Sequence, residues 1–173
     1  FGRRAIPEMN EMGIVTDVTH LPFPVFMEAA KLSRKPVIVS HGAPAGVTFD
    51  LTDDQIKAVA DSGGVVGLHF YSVYVAKRTP DGKPGSDFSL DDLIDQVDYI
   101  RNLVGMDHIG LGCDFFPTEG RWGEFQVKQG TRAEDIRWVI DDIGRMPLVT
   151  QALLDRGYSD GEIRKFLGLN FLR

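Results

Sequence analysis

The sequence predicts an α/β protein built from parallel βα units, of the kind that closes into a (β/α)₈ TIM barrel, with this chain supplying about the last four units. Two observations predict it. Short β-branched runs alternate with amphipathic helical stretches along the whole chain, the pattern of a parallel sheet with crossover helices. Several of those runs also end on a polar residue able to do chemistry, and the C-terminal ends of the strands are where barrel enzymes keep their sites.

The elements follow in order. "RRAIPEMNEMG" places Ile6, Met9 and Met12 at helical spacing. A strand over 14–19 leads into a helix through "PVFMEAAKLS", and a strand over 36–40 leads into "LTDDQIKAVADSGG". There Thr52 and Gln55 form a capping box and Gly63 provides a stop. The third unit is "GVVGLHFY" (64–71), a Gly-Pro loop, and a helix capped by Ser89 with Leu93, Ile94, Val97, Ile100 and Val104 on one face. The fourth is "HIGLGCD" (108–114), a long segment to Gly130, and helical sequence with starts at Thr131/Glu134 and Ser159/Glu162. No repeat, low-complexity tract or linker divides the 173 residues, so the chain reads as part of one domain.

Composition narrows the function. A hydrophobic content of 43% is that of a globular chain, and a net charge of −6 with scattered Lys and Arg gives no footprint for nucleic acid. A small-molecule partner is expected. No apolar run approaches the ~20 residues of a membrane span. The single cysteine, Cys113, excludes an intrachain disulfide and fits a reducing, cytoplasmic setting, although a disulfide-free secreted protein would look the same. A homodimer is a further open expectation.

His20, His41, His69 and Asp114 fall at or near strand ends, whereas His108 opens a strand and reads as structural. A lone histidine there is more often a hydrogen-bonded framework residue than a ligand. Two in register, His20 and His41, can converge on one ion and leave a position for water. Asp114, after "GLGC", is either functional or a cap for the next helix. "LHFY" favours packing for His69, and Tyr74, Trp122 and Phe125 either line a pocket or cover the core.

Four segments, "EMNEMGIVTDVTH", "SRKPVIVSH", "LTDDQIKAVADSGGVVGLHFY" and "LVGMDHIGLGCDFF", with "ALLDRGYSDGEIRKFLGLNFLR" as a fifth, resemble the C-terminal half of the membrane (renal) dipeptidase family of zinc metallopeptidases. The 21-residue separation of His20 and His41 fits that resemblance. It implies a metal-dependent hydrolase barrel acting on dipeptides, with two Zn²⁺ ions in the complete site, one of them ligated by His20 and His41. It implies that Asp114 handles the proton of the metal-bridging water. His69 and Tyr74 are expected near the substrate, His69 standing where an asparagine is common. The family's other ligands, an "H-x-D" pair and a bridging glutamate, would lie ahead of Phe1, so an N-terminal half-barrel is expected to be required. The loop after His41, "GAPAGVTFD", has no arginine to hold a substrate carboxylate, which leaves open an amidohydrolase of other small amides or a catalytically silent homologue used for binding.

Overall fold

The computed structural model describes residues 2–44, 50–77, 87–116, 120–128 and 136–173. The Thr131/Glu134 helix start and the Trp122 side chain lie outside the described residues. Four parallel strands form one sheet in the order β1 (Thr16–Asp17), β2 (Val37–Gly42), β3 (Val65–Leu68) and β4 (Ile109–Leu111). Neighbours in sequence are neighbours in space, as successive βα units require. The expected eight-stranded closure is not part of the described residues, which form an open four-stranded sheet.

The helices form where their caps and periodicity put them. α1 (Gly2–Glu11) precedes β1, and α2 (Phe23–Leu32) follows the Pro22 turn. α3 (Asp53–Asp61) begins at the Thr52–Gln55 capping box, with Gln55 Oε1 accepting from the Thr52 N–H at 3.0 Å. A short α4 (Ser72–Val75) precedes α5 (Leu90–Val104), whose Leu93, Ile94, Val97 and Ile100 are fully buried while Val104 is half-buried. Ser89 caps α5, and its N–H and hydroxyl both donate to Asp92 Oδ2. The segment after β4 is not irregular throughout, since it contains α6 (Arg121–Lys128). Then come α7 (Met146–Asp155) and α8 (Asp160–Arg164), the latter opened by the Ser159–Glu162 capping box. A π-turn, Lys165–Leu169, leads into α9 (Asn170–Leu172).

Two strands, β1 and β3, are shorter than their apolar runs. Among the described residues β1 has a partner on one side only, and of the run 14–19 just Thr16 and Asp17 hold ladder register, while Ile14 and Val15 stay exposed. The run 64–71 leaves the sheet at Leu68, and Tyr71 instead bridges Trp138.

One face of the sheet, with Val37, Val39, Val66, Leu68 and Ile109, packs under the helices with Phe26, Ile56, Leu93, Leu153 and Phe166. α9 is pinned below the sheet by buried Asn170, whose Nδ2 donates to the Met106 and Ile109 carbonyls at 2.7 and 2.8 Å. On the opposite face β2, β3 and β4 approach one another closely around Gly67 and Gly112. A Cβ on Gly112 would lie 2.4 Å from the Ser40 carbonyl oxygen and 2.6 Å from the Gly67 carbonyl carbon. Gly112→Ala is therefore expected to force β2, β3 and β4 apart and cost about 1–3 kcal/mol; an unchanged midpoint in urea unfolding would refute this. No described helix is long and apolar enough to cross a membrane.

Candidate metal centre

The closely packed strand ends bring together all four polar residues singled out at them. β2 continues two residues beyond the expected 36–40, so His41 sits inside the last stretch of strand, where the register shifts between Val39 and Gly42. His20 follows β1 and Asp114 follows β4, and both adopt left-handed backbone, φ 60° and φ 49°. They are the two non-glycine residues with positive φ among the described residues. Such conformations cost roughly 1–3 kcal/mol each and gather at functional sites.

His20 and His41 meet through their Nε2 atoms, 2.9 Å apart. Two nitrogens bound to one tetrahedral zinc at ~2.0–2.1 Å lie about 3.3 Å apart, so this convergence fits a pair of imidazoles sharing an ion. His41 is oriented from behind. Its Nδ1 contacts Ser40 Oγ at 3.1 Å, Ser40 Oγ contacts Thr19 Oγ1 at 3.0 Å, and the Thr19 hydroxyl donates to Asp17 Oδ1 at 2.6 Å. Burial raises the Asp17 carboxyl's pKa, but hydrogen bonds from Thr19 and Ser40 outweigh it and hold the group below its ordinary value. A chain from carboxylate through hydroxyls to the far ring nitrogen is the support that metal-binding histidines usually have.

Asp114 Oδ2 lies 3.9 Å from His41 Nε2 and 3.3 Å from His69 Nε2. The potential ligand atoms of His41, His69 and Asp114 all lie within 4.8 Å of one another. His20 and Asp114 are exposed, His41 is half-buried, and His69 is buried. Burial, with the nearby His41 and His20, pushes the His69 pKa down to about 3, so its ring is neutral. Tyr74 stacks on that ring, 4.4 Å between centroids and 13° between planes. Its hydroxyl pKa is raised by burial and by the Asp50 and Asp114 carboxylates.

Asp50 was not among the residues singled out. It lines a cavity of about 470 Å³ with His20, His41 and Phe26, and its Oδ2 accepts the Ala43 N–H at 2.7 Å. Burial raises its carboxyl pKa, against the pull of that bond and of His20 and His41. Asp50 lies just before the α3 capping box in sequence, and its bond to the Ala43 N–H places it beside the histidines. Phe125 is 44% exposed on α6. His108 is at the other end of β4, where Nδ1 meets the Gly64 carbonyl at 2.9 Å.

A family model described as membrane dipeptidase, peptidase family M19, matches residues 1–173. Dipeptidase verJ of Clonostachys rogersoniana is 30% identical over 175 residues, covering 99% of this chain and 39% of its own. A metallopeptidase from Rhodobacter sphaeroides, solved with a phosphinate mimic of the dipeptide L-Ala-D-Ala, is 28% identical with a TM-score of 0.78, covering 98% of this chain and 44% of that one. An amidohydrolase from Pseudomonas aeruginosa is 30% identical with a TM-score of 0.80, covering 99% and 55%. The chain spans 56% and 39% of the length of two curated relatives it matches.

Proposed function

This chain belongs to the membrane dipeptidase family, peptidase family M19, and from that premise we propose that it carries one metal position and the proton-transfer group of a zinc-dependent dipeptidase. The observation that carries the reading is the convergence of His20 Nε2 and His41 Nε2 at 2.9 Å, with Asp114 Oδ2 3.9 Å from His41. His20 and His41 would hold the ion, and the Ser40–Thr19–Asp17 chain keeps the His41 ring turned toward it. Zinc held there would polarise a carbonyl and make a bound water more acidic. As the water oxygen bonds to the peptide carbonyl carbon, Asp114 takes its proton at Oδ2 and then delivers it to the amine nitrogen, which leaves as the C–N bond breaks. The complete site is proposed to hold two ions within a closed barrel. β1 supports this, since its outer edge is unpaired among the described residues and Met12, Ile14 and Val15 beside it are 75%, 45% and 59% exposed. Such an apolar edge calls for another segment to cover it.

A dipeptide substrate is supported by the ligand of the Rhodobacter sphaeroides relative. One feature favours a second reading, an amidohydrolase of other small amides: the loop after His41 has no arginine and instead brings Asp50 to the histidines. The full-length protein should contain zinc by mass spectrometry and hydrolyse members of a dipeptide panel that includes L-Ala-D-Ala. Zinc with turnover only of N-acyl amino acids or other amides would favour the second reading. Absence of metal and of all turnover would overturn both.

A further inference from the structure

The roles above leave one buried imidazole unused. His69 is 3% exposed and fixed on three sides. Tyr74 stacks on one face, the His41 ring stands edge-on with centroids 5.2 Å apart, and the Tyr71 backbone N–H donates to His69 Nδ1 at 3.1 Å. A neutral imidazole that accepts at Nδ1 carries its proton on Nε2. That Nε2 lies 3.3 Å from Asp114 Oδ2, a loosely aligned approach of the kind that tightens when a substrate complex forms. A protonated nitrogen has no lone pair for a cation. His69 therefore fits the carboxylate better than it fits an ion, although it lies close enough to His41 and Asp114 to be counted with them.

We infer that His69 is a positioning residue whose Nε2–H keeps the Asp114 carboxylate turned toward His41. It acts on turnover through Asp114 and touches neither metal nor substrate. The inference rests on the proton-transfer role proposed for Asp114. Asp114 is exposed, so without a fixed donor its side chain would spread over several rotamers and lose the orientation that proton transfer needs. The Tyr71 N–H supplies the direction of that donor, and the Tyr74 stack its rigidity.

The test uses the full-length protein with L-Ala-D-Ala as probe. A long-range ¹H–¹⁵N spectrum of the metal-free protein should show His69 as the neutral, Nε2-protonated tautomer. His69→Leu should keep its zinc and its KM while kcat falls ~10–100-fold, the usual loss when an orienting partner is removed. His69→Asn, which keeps an N–H donor, should recover part of that loss. Because the two residues act as a unit, His69→Leu added to Asp114→Asn should slow the enzyme no further. An Nδ1-protonated ring, loss of zinc, a raised KM at unchanged kcat, or additive losses would each overturn the inference. A wild type that binds zinc but cleaves no amide would instead overturn the proposed function, and the tautomer would then decide the role of His69 alone.

Discussion

His41→Ala in the full-length protein is expected to remove one zinc ion per chain and to lower kcat/KM at least ~100-fold, since even residues one shell beyond a metal cost about 10–100-fold when removed. The imidazole has no substitute nearby. His20 Nε2 would face the space left by its partner at 2.9 Å, and the remaining neighbours are the carboxylates Asp114 and Asp50, the latter held by the Ala43 N–H, and the His69 ring. His20→Ala should behave alike in zinc content. His20→Gly gives the cleaner control, because glycine accepts the φ of 60° that histidine holds under strain. It should lose the metal without losing stability. Ser40→Ala leaves both ligands in place and breaks the contact to His41 Nδ1, so a smaller loss, of order tenfold, is expected there. Zinc content is read by mass spectrometry on purified protein. Full metal content in both His20→Ala and His41→Ala would remove the ligand assignment, whatever the activity.

Local chemistry was legible in the sequence wherever a few residues decide it alone. The Thr52–Gln55 and Ser159–Glu162 boxes start α3 and α8 as their spacing predicts, and the buried face of α5 follows its 3.6-residue period. Strand ends were less legible. An apolar run marks residues able to join a sheet, but pairing depends on what lies alongside: β1 keeps only Thr16–Asp17 at its edge, and β3 ends at Leu68, with the His69 N–H to the Gly42 carbonyl as its closing bond to β2. The convergence of His20 with His41 could be anticipated from their registers. The left-handed backbone of His20 and Asp114 could not, because nothing in their own side chains demands it. Asp50 was hidden for a related reason, since its place beside the histidines depends on a hydrogen bond from the distant Ala43 N–H. His69 looked like wall packing from "LHFY", and the ring is indeed buried; what the run does not reveal is that the Tyr71 N–H selects which nitrogen faces Asp114.

Asp114→Asn separates proton transfer from structure more cleanly than any other substitution at this site. Asparagine matches the carboxylate in size and tolerates left-handed backbone about as well as aspartate, so the φ of 49° should survive. An amide oxygen can still face the His69 Nε2–H, and the His20–His41 pair is untouched. What is lost is the negative charge and the ability to accept a proton and give it up again. Removing a positioned acid–base group costs about 10²–10⁴-fold, so kcat should fall by that factor while zinc content stays at the wild-type level. KM should change little, because in the proposed mechanism Asp114 works on the attacking water and the departing amine and not on the binding of the dipeptide. A loss of zinc would recast Asp114 as a ligand and revive the His41–His69–Asp114 cluster as the ion's cradle. A near-normal kcat would mean that protons reach the leaving amine by another route, and Asp50, beside the same histidines and with its carboxyl pKa raised by burial, is the group that would then have to be tested.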